Sequence, residues 1–195
     1  MRHYILLLFL LTCFGYSFSQ TTVSGFYVTN ANDTVSAQIK LPKSIFGSVD
    51  LSKFLLKVEV VDSISGENKF KPDDIAGFGF LFNEEHYRFF SKPAITENNL
   101  RFLQPVILGQ KTSLYQFQTV DQNGAPLGTF YTFEKADGTY TFLITGIKNL
   151  NKYRETLKEF YNDNLEIQQF IDTKFQTKTS IKTDITEIVQ AVNKS

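Results

Sequence analysis

Few side chains in this sequence are of the types that do covalent chemistry, and their spacing limits what they could do. One cysteine and two histidines occur in 195 residues: His3 and Cys13 near the start, and His86 in the stretch NEEHYRFF. Zinc sites are built from grouped Cys, His and carboxylate ligands, and neither an HExxH motif nor a cysteine pair is present. A serine nucleophile would need His86 as its base and a GxSxG elbow to expose it, and the elbow is missing. Flanked by Glu84, Glu85, Tyr87 and Arg88, His86 is expected on the solvated surface.

Carboxylates are the other route to acid–base chemistry. Glycosidases set two of them about 5 to 9.5 Å apart, and aspartic proteases make two share one proton. Asp73 and Asp74 follow Pro72 in KFKPDDIAGF, which reads as a turn leading into a strand, and adjacent strand residues point to opposite faces. No dyad is expected from them. The GFGF at Gly77 lacks the GxGxxG spacing and the strand-to-helix context of a phosphate cradle. In GFYVTNANDTVSAQIKLP, Asn30, Asn32 and Asp33 supply oxygens. Without a glycine hinge and a distal bidentate glutamate they miss the calcium-loop pattern and read as a hairpin turn. The expectation is a non-enzyme with no catalytic, cofactor-binding or metal-ligating residue, and a carboxylate-dependent hydrolase is the least favoured reading.

The elements that hold these residues begin after a leader. Arg2 and His3 precede the apolar run Ile5 to Leu11, and Ser17-Phe18-Ser19 puts small residues at the minus-three and minus-one positions of a cut before Gln20. That order is a secretory signal peptide over 1–19, whose apolar core falls short of the ~20 residues that span a bilayer. Lipidation of Cys13 would need a lipoprotein-type signal, which Thr12 and Phe14 fit poorly. The plain cut leaves no cysteine, hence no disulfide and no thiolate, so stability must come from a packed core. Loss of Arg2 leaves 19 basic against 20 acidic residues. Charge this close to neutral, without basic clustering, argues against nucleic acid. No second long apolar stretch exists, so no transmembrane helix is expected in the mature chain.

Twenty Phe and nine Tyr with no Trp favour a pleated, half-buried surface. From Thr22 to about Thr145 apolar residues alternate between turn signals, as in a sheet with one buried face. Val35, Ala37, Ile39 and Leu41 share a face, and Phe54, Leu56, Val58 and Val60 are expected to share one in a third strand. Phe78, Phe80 and Phe82 alternate with Gly77 and Gly79, which leave room for a close backbone or for rings from the next strand. Asp137-Gly138 predicts a tight hairpin, and residues 121–126 predict a longer loop. Pro105 cannot donate to a ladder, so its strand is expected at an edge or broken there.

After Gly146 the period becomes helical: Tyr153, Leu157, Phe160 and Tyr161, then Ile167, Phe170 and Ile171, then Ile181, Ile185, Ile188, Val189 and Val192. Asp184 is expected to cap the last helix, with Glu187 completing a capping box. The fold class is therefore α+β: an antiparallel, meandering sheet or partial barrel over 20–146, followed within the same domain by two or three helices over 147–195 that pack on it.

GFYVTNANDTVSAQI, FKPDDIAGFGF with the following HYRFF, LQPVILGQKTSLYQF, FYTFEK and the C-terminal YRETLKEFYNDNLEIQQFI together resemble a group of exported, largely uncharacterised β-rich proteins of Bacteroidota. The signal ending in FSQ is similar to secretory signals of that phylum. The resemblance implies an envelope protein, periplasmic or outer-membrane-associated, and carries no site residue with it. It also implies acceptor sites for O-glycosylation at Thr34 in Asp33-Thr34-Val35 and at Ser63 in Asp62-Ser63-Ile64. The function expected is a non-catalytic envelope module that binds a protein or surface partner through a sheet edge or an aromatic-rich face. The alternative is a periplasmic carrier of an apolar ligand, a lipid or acyl chain, in a sheet cavity.

Overall fold

The computed structural model describes residues 21–44, 47–62, 66–120, 126–145 and 149–195. The strands are β1 Thr22–Thr29, β2 Thr34–Lys40, β3 Val58–Asp62, β4 Gly66–Phe70, β5 Ile75–Phe82, β6 Glu85–Ala94, β7 Thr96–Ile107, β8 Thr112–Val120, β9 Pro126–Lys135 and β10 Tyr140–Ile144. Three helices follow: α1 Leu150–Phe160, α2 Leu165–Asp172 and α3 Ile181–Lys194. The ten described strands form one antiparallel sheet in the order β10-β9-β8-β7-β6-β5-β1-β2-β3-β4, not closed between its ends. The α+β class, the meander and the C-terminal helices are those expected. The signal peptide and Cys13 lie outside the described residues.

One connection departs from the meander. After β4 at the edge, the chain returns to place β5 beside β1, four strand spacings away, with only residues 71–74 between them. In a flat sheet four spacings are about 19 Å, beyond the ~17–18 Å that so short a link reaches even when fully extended. The sheet therefore curls, and the rings of Tyr27 on β1 and Phe70 on β4 stand 5.0 Å apart across the bend. Inside the curl lie Ala37, Ile39, Val58, Val60, Ile75 and the rings of Phe78, Phe80, Phe89 and Phe102.

Phe54 fills the centre of that core, though not from a strand. Residues Leu51–Leu55 form a short 3-10 helix whose start is capped by Asp50, which accepts bonds from the Ser52 amide at 3.2 Å and the Ser52 hydroxyl at 2.6 Å. The expected third strand is thus shortened to Val58–Asp62, and Leu56 is 55% exposed. The helix lets Phe54 reach over the sheet to touch Phe78, Phe89 and Phe80 at 5.0, 5.3 and 5.5 Å between ring centres. Burial of one large ring has overridden a local period-two pattern.

Of the two alternatives expected for Pro105, the edge is not found, and the break takes the form of an irregular ladder. β7 lies between β6 and β8, so it is no edge; the β7–β8 register instead shifts between Pro105 and Ile107. The missing N–H falls where the ladder is already irregular, which is how an interior strand tolerates proline. The edges are β4 and β10. The Asp137-Gly138 hairpin forms as expected, with Gly138 at φ 85° and its amide bonded to the Lys135 carbonyl.

The second core lies under the helices. Leu114, Tyr131, Phe133 and Leu143 point from β8, β9 and β10 toward the apolar stripes of α1, α2 and α3. Asn149 and Asn164 cap α1 and α2 through bonds from Lys152 and Ile167 amides. α3 begins earlier than expected, at Ile181, so Asp184 is inside its first turn and is not its cap. Its carboxylate accepts from the Phe175 amide at 2.9 Å and the Ser180 hydroxyl at 2.6 Å, fixing the approach of the loop before the helix. Glu187 closes no capping box; it pairs with Lys174.

Candidate interaction surface

Cross-strand partners share a face of the sheet, so the register determines what meets on the side away from the first core. Phe26 on β1 pairs with Gly79 on β5, which pairs with Arg88 on β6; Val28, Gly77 and Phe90 form the next row. The alternate rows, Gly25, Phe80, Tyr87 and Tyr27, Phe78, Phe89, face inward. The outer face of β5 consequently has no side chain of its own at two successive positions: the Phe26 ring lies over Gly79, and Gly77 is left without a ring above it. Gly77 is required by close approach, since a Cβ there would stand 2.5 Å from the Phe89 carbonyl oxygen; one on Gly79 would stand 3.0 Å from the Tyr87 carbonyl oxygen and would displace the Phe26 ring, 2.8 Å away.

The result is an open depression of about 760 Å³ over Gly77, walled by Phe26 and Val28 on one side and by Arg88 and Phe90 on the other. Its rim is tied together by side chains. Asn30 donates to the Asp73 carbonyl at 2.9 Å, and Ser91 donates to the Pro72 carbonyl at 2.5 Å, so the β1–β2 and β4–β5 turns and β6 are held at fixed spacing. Beyond Lys92 the end of β6 folds against β9. Thr132 donates to the Pro93 carbonyl at 2.9 Å, and Glu134 accepts from Lys92 at 2.7 Å and from Tyr140 at 2.6 Å. Burial alone would raise the Glu134 carboxyl, but the bonds from Lys92 and Tyr140 outweigh it and hold it below its ordinary value. Burial, reinforced by the bond to Glu134, pushes the Tyr140 hydroxyl well above the usual phenol range.

Charge around the depression is unevenly matched. Lys92 stands directly opposite Arg101 in the β6–β7 pair, and among the described residues the only carboxylate bonded to either is Glu134, on Lys92. Arg101 donates to the Leu100 carbonyl at 2.7 Å. Arg88 is exposed and makes no ion pair among the described residues. Asp73, exposed in the turn before β5, is the one carboxylate among the described lining residues.

The residues singled out from the sequence fall as follows. His86 is exposed at the start of β6, opposite Leu81. Asp73 and Asp74 sit in the β4–β5 turn, where Asp74 accepts from the Lys71 amide at 2.7 Å, and they do not converge on a common point. Asn30, Asn32 and Asp33 form the hairpin turn, with Asn32 in the left-handed region at φ 67°. That turn does more than reverse the chain, since Asn30 and Asn32 also line the depression. Thr34 is exposed on the same rim; Ser63 lies outside the described residues. Among the described residues no group of three or more His, Cys, Asp or Glu side chains could hold a metal ion, and no helix is long and apolar enough to cross a membrane.

Phe26, Val28, Arg88 and Phe90 were not distinguished by sequence reasoning. A faint signal exists in RFFSK, where Arg88, Phe90 and Lys92 alternate onto one face opposite the inward Phe89. Their meeting with Phe26 and Val28 depends on β5 returning beside β1, which no local pattern encodes. No protein-family model matches the chain, and neither does any curated protein or solved structure.

Proposed function

We propose that this chain is a non-catalytic, exported protein of the cell envelope, an interaction module whose docking surface is the depression over Gly77. One observation carries the reading: three clusters of apolar side chains are buried, while Phe26, Val28 and Phe90, the last also packed on Tyr115 of the smallest cluster, stay only partly covered around an open concavity on the face away from the first core. Exposed apolar concavities rimmed by polar groups are characteristic of interaction sites. Export is supported by the charged, apolar, small-residue order of 1–19 and by the resemblance to exported Bacteroidota proteins. A hydrolase finds little support, since Asp73 is a lone carboxylate in the described lining and glycosidic or aspartic chemistry needs two.

A second reading, the carrier of an apolar ligand, is favoured by volume alone. About 760 Å³ is enough for a drug-sized ligand. Thr34, exposed on the rim, would be a site for an O-linked sugar in either case.

The test is site-specific photocrosslinking in the native envelope. Benzoylphenylalanine replaces Phe90 or, as a control on the exposed face of α1, Glu155. A discrete protein adduct from position 90 alone is expected. Absence of any adduct, combined with a small molecule retained in native mass spectra and lost on activation, would replace the module with the carrier. In the same spectra a covalent excess would report sugar or acylation of Cys13.

A further inference from the structure

We propose that the depression takes an extended acidic peptide segment of a partner protein. An aromatic side chain of that segment sits between Val28 and Phe90, and an acidic side chain two residues away pairs with Arg88. The proposal rests on the depression being the docking surface and adds the chemistry of its occupant.

Three observations lead to it. First, β1 and β6 flank β5 at one strand spacing on either side, so the backbones that carry Val28 and Phe90 stand about 10 Å apart with Gly77 between them, which leaves room for one inserted side chain. Second, Arg88 and Phe90 are alternate residues of β6 on one face, about 6 to 7 Å apart along the strand. An extended segment carrying an acidic and an aromatic residue with one residue between them repeats that spacing. Third, the charge is complementary at that end. Of the cations on this face, Lys92 has Glu134, and Asp73 lies in the turn before β5, beyond Ile75. Arg88, opposite Gly79 and further along β5, has no carboxylate among the described residues. An exposed guanidinium beside an aromatic wall presents a fork that matches a carboxylate.

A lipid fits less well. Small-molecule sites cover most of the ligand's surface, whereas this depression is open along one side, so an acyl chain lying in it would stay wet. Attraction to an anionic membrane takes clusters of about four to eight basic residues, and this face holds three with two carboxylates against them.

The experiment is fluorescence anisotropy with the purified full chain and a fluorescein-labelled peptide of sequence Gly-Ser-Glu-Ser-Phe-Ser-Gly. Binding is expected, weakened about tenfold or more by Arg88→Glu and unchanged by Lys178→Glu on the loop before α3. A peptide with Lys in place of Glu should bind the wild type weakly and Arg88→Glu better than the original peptide does; this charge swap separates pairing from misfolding. Equal affinity of the wild type for both peptides, or an Arg88→Glu variant that binds like wild type, overturns the proposal. So does binding of phosphatidylglycerol vesicles with none of the peptide. If the peptide fails while crosslinking from position 90 still yields a protein adduct, the occupant chemistry is wrong and the module stands; if both fail, the docking surface itself is lost.

Discussion

Phe78 contacts Phe89 at 4.8 Å, Phe54 and Phe102 at 5.0 Å, and is 2% exposed. Truncating such a ring removes its transfer free energy and leaves a cavity that a stiff sheet cannot collapse. Phe78→Ala and Phe80→Ala should therefore each cost about 3 to 5 kcal/mol in urea unfolding. Unfolding curves that overlay the wild type would mean that the rings are not core. A smaller effect of opposite sign belongs to Ile95 in the β6–β7 turn, exposed and held at φ 71°. A β-branched residue in that region costs about 1 to 2 kcal/mol, whereas asparagine tolerates it. Ile95→Asn should stabilise the protein by about 1 kcal/mol; an unchanged or lower melting temperature would show that the turn carries no such strain.

Among the elements, α3 is tied to the sheet by one side chain. The Asn193 amide oxygen accepts from the Lys111 and Thr112 amides at 2.9 and 3.1 Å, and its nitrogen donates to the Thr112 and Val189 carbonyls at 2.8 and 2.9 Å. Asn193→Ala should cost about 2 to 3 kcal/mol and speed amide exchange at Lys111 and Thr112, because these groups lose partners that solvent only partly replaces. Exchange left at the wild-type rate would place the anchoring of α3 in its apolar stripe alone. The helices themselves were legible in the sequence, down to the buried residues of each stripe, because a 3.6-residue period over two to four turns is a strong local signal. Where α3 starts was not, since Asp184 is an equally good cap by local rules until Phe175 and Ser180 are seen to occupy its carboxylate.

At the scale of the molecule, the sheet carries two large cores, one inside the curl and one beneath the helices, and a small third cluster of Ala94, Leu103 and Tyr115, and Lys92 with Glu134 links β6 to β9 across 42 residues of sequence. Because a continuous sheet joins them, thermal unfolding is expected as one transition by both near-UV and far-UV circular dichroism. Two separated transitions would mean that the halves unfold independently. The Glu134 carboxyl has a depressed folded value, so its contribution is present above the ordinary glutamate range and is lost as pH falls through that lower value. Glu134→Gln should therefore flatten the fall in melting temperature between about pH 5 and pH 3. An unchanged acid limb would assign that loss to other carboxylates.

Local order in the amino-acid sequence determined the strand-then-helix plan, the hairpin at Gly138, the turn at Asn32 and the exposure of His86, because alternation, turn chemistry and helical period act over a few residues. The tertiary structure alone decided that Phe54 leaves its strand to plug the curl, that Pro105 sits inside the sheet at a register shift, and that Phe26, Val28, Arg88 and Phe90 wall one depression. Each of these depends on which strand lies beside which. That pairing is set by closing the chain from β4 back to β1 and by burying rings from distant segments together, and neither is expressed in any short stretch of the chain.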